Sequence, residues 1–167
     1  EASRRTLGDE HPETLVSINN MGNLLQTQGK LADAEPLYRE ALETRRRTLG
    51  DEHPDTLVSI HNLGALLHDQ GKLADAEPLY REALETRRRT LGDEHPSTLT
   101  SINNMGSLLQ DQGKHDDAEP LYREALEGCR RTLGDEHPNT LTVKRSLEAL
   151  LEERKDAKTP PTTEDDR

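Results

Sequence analysis

The sequence predicts an all-α fold: a solenoid of antiparallel helix pairs, three repeats long and closed by a C-terminal capping helix. Three observations carry this. The stretch Thr6-Leu7-Gly8-Asp9-Glu10-His11-Pro12 returns unchanged at residues 48–54, 90–96 and 132–138, each copy starting 42 residues after the last. Apolar residues within a period fall three and four apart, as on one face of a helix. The two apolar-periodic stretches of each period are joined by a turn of two or three residues, which forces neighbouring antiparallel helices. A repeat of 20 to 50 residues marks stacked units rather than one globular core.

In the first helix of a period, Leu15, Ile18, Met21, Leu24 and Leu25 form the apolar stripe. Pro12 suits the first turn, where its missing N–H costs nothing, and Gly29 suits a left-handed cap. In the second helix, Ala34, Leu37, Tyr38, Ala41 and Leu42 share a face. Pro36 is expected near its first turn. Glu35 with Arg39, and Glu43 with Arg47, are acid-first pairs four apart. Arg45-Arg46-Arg47 is read as positive charge at the helix C-terminus, and Gly50 ends the helix. The predicted pairs cover about 12–49, 54–91 and 96–133, with the capping helix at about 138–155. Gly22 sits mid-helix, where glycine costs about 1 kcal/mol relative to alanine. Its return at Gly64 and Gly106 therefore predicts a close helix crossing, with Ala34 and Ala41 as the facing small residues.

Composition narrows the function. The net charge of −11 argues against a nucleic-acid or anionic-membrane surface. No apolar run reaches the roughly 18 residues of a membrane span. The single cysteine, Cys129, allows no internal disulfide and favours a reducing compartment, so a cytoplasmic location is expected. There is no glycine-rich phosphate loop and no nucleophile motif, so neither an enzyme nor a cofactor is predicted. His11, His53, His95 and His137 follow acidic pairs but lie one repeat apart, which disfavours a shared metal.

Gly22, Gly29, Ala34, Tyr38 and Ala41, with Ile18, Met21, Leu25 and Leu31, resemble the tetratricopeptide repeat signature at its internal spacings. The usual unit is roughly 34 residues. Here Arg46 stands where that unit has its terminating proline, and a Leu-Gly-x-x-His-Pro linker completes the period. This longer form is similar to the repeats of kinesin light chains. The resemblance implies a right-handed superhelix whose concave groove is lined by the first helices.

Comparison of the periods singles out the same face. The first two differ at Glu13/Asp55, Asn19/His61, Met21/Leu63, Asn23/Ala65, Gln26/His68 and Thr27/Asp69. Positions 19, 23, 26 and 27 share one side of the first helix, whereas 34–43 recur unchanged at 76–85 and 118–127. The residues expected to contact a peptide are Asn19, Asn20, Asn23, Gln26, His61, Asn62, His68, Asp69, Asn103, Asn104, Ser107, Gln110 and Asp111. Val16, Thr27, Val58, Ala65 and Thr100 complete the stripe. Asn20, Asn62 and Asn104 recur in register, and a column of amides can pair with the main chain of an extended peptide. The alternative is that each bonds its neighbouring helix. Lysine and arginine are missing from these positions, with Arg145 the one candidate, so the carboxylate-gripping mode of some family members is not expected. A groove of about 20–40 Å takes on the order of six to ten extended residues.

The predicted function is thus a non-catalytic protein–protein interaction scaffold for a neutral or basic peptide. The alternatives are a spacer with no ligand of its own, or the sensor segment of a larger signalling ATPase. Residues 1–5 read as the remnant of a preceding second helix, 6–155 as the array and 156–167 as a disordered polar tail. In the fourth period Lys144, Arg145 and Glu148 depart from the pattern, as a solvating cap requires. The uncovered N-terminal stripe predicts weak end-to-end self-association.

Overall fold

The computed structural model describes residues 6–158. Its long helices are α1 (Pro12–Thr27), α2 (Leu31–Leu49), α3 (Pro54–Asp69), α4 (Leu73–Leu91), α5 (Pro96–Asp111), α6 (His115–Leu133) and α7 (Pro138–Lys158). There is no strand among the described residues. The chain divides after Gly92 into two compact units, the first holding α1–α4 and the second α5–α7. The readings for residues 1–5 and 159–167 lie outside the described residues.

Each first helix starts with a proline at its N-terminal turn, behind a histidine N-cap. His11 Nδ1 accepts from the Glu13 N–H at 3.2 Å, and His53, His95 and His137 repeat this with Asp55, Ser97 and Asn139. The linker histidine therefore satisfies a backbone donor that the helix itself cannot. The other end closes at Gly29, whose φ of 73° is left-handed. There the Lys30 N–H reaches back to Leu25 O and the Gly29 N–H to Gln26 O, both at 2.9 Å.

The second helix begins at Leu31, which places Pro36 in its second turn rather than its first. A proline there removes only the bond to the Ala32 carbonyl. It ends at Gly50, φ 86°, with the Gly50 N–H on Arg46 O at 3.0 Å. At the far end α7 continues to Lys158, three residues past the predicted end, because no proline interrupts it before Pro160.

Within the first unit, Leu15, Ile18, Ala34, Tyr38, Ala41 and Leu42 are buried between α1 and α2. The same positions recur in the second period as Leu57, Ile60, Ala76, Tyr80, Ala83 and Leu84. The predicted close approach at Gly22 is real, but the partner is a side chain. A Cβ on Gly22 would stand 2.8 Å from Tyr38 Cε1, and one on Gly64 would stand 3.0 Å from the Tyr80 ring.

The arginine triplet has more specific duties than end-charge. Arg45 is buried between α2 and α3, where its Nη1 donates to Ser59 Oγ at 2.7 Å and Asp55 O at 3.1 Å. Arg46 makes a forked contact with Glu82 of α4 at 2.6 and 2.7 Å, a pairing that ties successive second helices together. Arg47 pairs with Glu10 of the linker that opens its period, as Arg89 does with Glu52 and Arg131 with Glu94, each at 2.9 Å.

Candidate functional site

The varying stripe on the first helices is a polar strip wired into the tyrosine beneath it. In the first unit Tyr38 is fully buried as a ring, and its hydroxyl donates to Asn23 Oδ1 and to Gln26 Oε1, the latter at 3.0 Å. Gln26 Nε2 then donates to Asp69 Oδ2 of α3 at 2.6 Å. Burial, and then the Asp69 charge, push the Tyr38 phenol up to about 12, so it acts as a hydroxyl donor throughout the ordinary pH range. A second rung joins the same two helices, with Asn62 Nδ2 donating to Asn19 Oδ1 at 2.9 Å. Both rungs span 43 residues, one period plus one step, which is how adjacent first helices meet.

The expected contact residues accordingly separate into kinds. Asn19 is buried and engaged by Asn62, so its amide serves the packing of α1 on α3 instead of an open surface. Asn62 is the structural form of the amide column at this rung, bonded to the neighbouring helix. Asn20, Asn23 and Asp69 are exposed, and Gln26 is half-buried. Val16, Thr27 and Val58 are also exposed, with Thr27 Oγ1 turned to Asn23 O at 2.8 Å.

In the second period His61 and His68 are both half-buried against Tyr80, with ring centroids 6.2 and 6.0 Å from it. They are rings packed against the tyrosine beneath the strip. Burial, and then the nearby Arg87 guanidinium, hold His61 below its ordinary value.

The second unit repeats the wiring between α5, α6 and α7. Tyr122 Oη donates to Gln110 Oε1 at 2.9 Å, and Gln110 Nε2 donates to Glu153 Oε1 at 2.9 Å. Tyr122 also bonds Ser107, and Asp111 is exposed. The amide rung is broken here. Ser146 stands one period after Asn104, and its hydroxyl turns to Thr142 O at 3.3 Å, leaving Asn103 Oδ1 buried without a partner. Asn103 and Asn104 line a cleft of about 150 Å³ together with Leu99, Thr100, Cys129, Asn139, Thr142 and Val143. The Cys129 thiol is buried and its pKa is pushed up, so it is a poor nucleophile. Among the described residues, His, Cys, Asp and Glu side chains nowhere gather three together as a metal site.

The hydroxyl–amide–carboxylate relay was missed from sequence. Its signal was present in the 43-residue offsets Gln26–Asp69 and Gln110–Glu153. Seeing it requires knowing that the tyrosine hydroxyl emerges under the strip.

The tetratricopeptide repeat family model matches residues 1–46, 16–89, 55–127 and 98–159. The chain belongs to the tetratricopeptide repeat family. Its array is of the kinesin-light-chain-like type. Similar solved structures include the nearly identical TPR-like repeats of a Podosopora anserina protein assigned as a kinesin light chain. That match has 27% identity and a TM-score of 0.77, and covers 93% of this chain and 74% of that one. BtubC (BKLC) from P. vanneervenii matches at 21% identity and a TM-score of 0.72, covering 98% and 72%. The Sgt2 TPR domain of Aspergillus fumigatus matches at 18% identity and 0.63, covering 93% and 90%. No curated protein matches the sequence. Tetratricopeptide repeat proteins are in general non-catalytic scaffolds for protein–protein contact, and these repeats support that role. No helix among the described residues is long and apolar enough to cross a membrane.

Proposed function

We propose that this tetratricopeptide array binds an extended segment of a partner protein along the faces of its first helices. In the first unit that segment would lie across α1 and α3. The observation that carries the reading is the pre-set strip, in which Tyr38, Gln26 and Asp69 are linked by hydrogen bonds before any ligand arrives. Polar groups already held in place lose less freedom on binding than free side chains do. Exposed Asn20 and Asn23 beside them supply amides for main-chain donors and acceptors.

The favoured ligand is neutral or basic. Asp69 lies exposed on the strip, the expected contact positions carry no lysine or arginine, and the whole chain is strongly acidic. Peptide-library selection on the chain, repeated with Asn20→Ala and with Asp69→Asn, tests the reading. Enrichment of extended, lysine- or arginine-containing peptides that the variants bind about tenfold more weakly is expected. A library that returns nothing enriched leaves a spacer as the function.

A further inference from the structure

The cleft beside Asn103 is the counterpart of a space that the chain fills for itself in its first unit. There Arg45 of α2 lies buried against α3, with its Nη1 on Ser59 Oγ at 2.7 Å and on Asp55 O at 3.1 Å. Two periods on, the same three positions are Cys129, Val143 and Asn139. A thiol is far shorter than a guanidinium on its stem, and all three residues line the cleft of about 150 Å³ between α5, α6 and α7. What this cleft offers a ligand is acceptors. Thr100 Oγ1 donates to Pro96 O at 3.0 Å and Thr142 Oγ1 to Pro138 O at 2.9 Å, so each hydroxyl has committed its proton and can only accept. Asn103 Oδ1 is buried without a partner and has no bond to break when its amide turns to a ligand. None of the lining side chains is charged.

We propose that this cleft is a recognition pocket for an arginine side chain of the partner segment, an inference that rests on the reading of the array as a binder of an extended segment. A guanidinium brings five N–H donors and no acceptor, which answers a set of oxygens that accept. It is also more weakly hydrated than an ammonium, so it enters an uncharged cleft more readily than lysine does. A cavity of about this volume takes a group the size of benzene, and a guanidinium is no larger. Its N–H groups donate to Asn103 Oδ1 and to the Thr100 and Thr142 hydroxyls, over a floor of buried Cys129 and Val143. The first unit offers no such pocket at its α2–α3 joint, because Arg45 fills it. The preference for arginine therefore belongs to the second unit and sets where along the array that residue of the segment falls.

The test titrates the full chain with a capped pentapeptide, one arginine flanked by alanines, and with the same peptide carrying lysine, citrulline or alanine in its place. The NMR signals of the Asn103 side-chain amide and of Thr142 are followed, with the exposed amides of Asn20 and Asn23 as reference. The expected result is a saturating shift at Asn103 and Thr142 with the arginine peptide, about tenfold weaker affinity for lysine and citrulline, and no shift with alanine. Cys129→Arg, which supplies the arginine that the first unit already has, should abolish the response, and Asn103→Leu should weaken it about tenfold. Should either variant fail to fold, the titration of the unaltered chain decides. The proposal is overturned if the arginine peptide leaves both signals unmoved at millimolar concentration, or if folded Cys129→Arg still responds. Equal binding of the lysine peptide also overturns it, since an acidic surface would then be attracting any cation. If it fails while library selection still enriches peptides that Asn20→Ala loses, the array remains a binder without this pocket. A saturating arginine shift beside a library that enriches nothing keeps the pocket and removes the extended segment.

Discussion

The ring of Tyr38 closes onto Gly22, leaving room for a hydrogen but not a methyl: a Cβ there would lie 2.8 Å from Cε1 and 3.0 Å from Cζ. The ring cannot swing away cheaply, because it is buried and its hydroxyl is held by Asn23 and Gln26. Gly22→Ala gains about 1 kcal/mol of helix propensity but overpacks the crossing by about 1–3 kcal/mol. Urea unfolding is expected to show a net loss of up to about 2 kcal/mol for Gly22→Ala. Gly64→Ala should lose less, since its nearest ring atoms stand at 3.0 Å.

Arg45 and Ser59 form a coupled pair between α2 and α3. Arg45→Cys alone takes the donor away from the Ser59 hydroxyl and the Asp55 carbonyl and opens a cavity, at an expected cost of about 2–4 kcal/mol. Ser59→Val alone strands the guanidinium and costs a comparable amount. The double substitution reproduces the Cys129–Val143 joint of the second unit. A double-mutant cycle by denaturant unfolding is expected to give a favourable coupling of about 0.5–3 kcal/mol. Strict additivity would show that the two side chains act separately.

The linker histidines are caps. His53→Ala is expected to destabilise by about 0.5–2 kcal/mol, while His53→Asp, which presents an acceptor to the same backbone N–H, keeps most of the stability. Equal losses for the two variants in thermal unfolding would show that the imidazole matters for something other than acceptance.

Two pH windows are expected. Burial, and then Arg87, hold His61 below its ordinary 6.5, so on acidification the unfolded chain takes the proton first. Its contribution is full above 6.5 and is lost as pH falls through that value. The hydrogen bond from Lys72, then that from Arg39, lower Glu35 from 4.5 to about 2, so its contribution is present above 4.5 and lost toward pH 2. Urea unfolding from pH 7 to 5 should flatten in His61→Asn, and from pH 4.5 to 2.5 in Glu35→Gln.

Most of the helix boundaries were legible because their signals are local. Pro12 and Gly29 act on their own backbone, and the stripe from Leu15 to Leu25 depends only on helical period. The strip was legible as a place, since the differences between periods pick out positions 19, 23, 26 and 27. What each member does there was not. Asn19 and Asn20 are the same residue type side by side, yet one is buried under Asn62 and the other faces solvent.

By itself the sequence determined the repeat, the helix pairs and their ends, and the acidic character of the surface, because period, caps and charge are properties of neighbouring residues. Only the tertiary structure decided that Arg45 is buried on Ser59 and that Tyr38 anchors Gln26 and Asp69. Those outcomes depend on side chains 12 to 43 residues apart meeting across helix joints. An identical Arg-Arg-Arg run gives one residue a buried partner and two residues exposed or half-exposed ones because each points a different way off the helix.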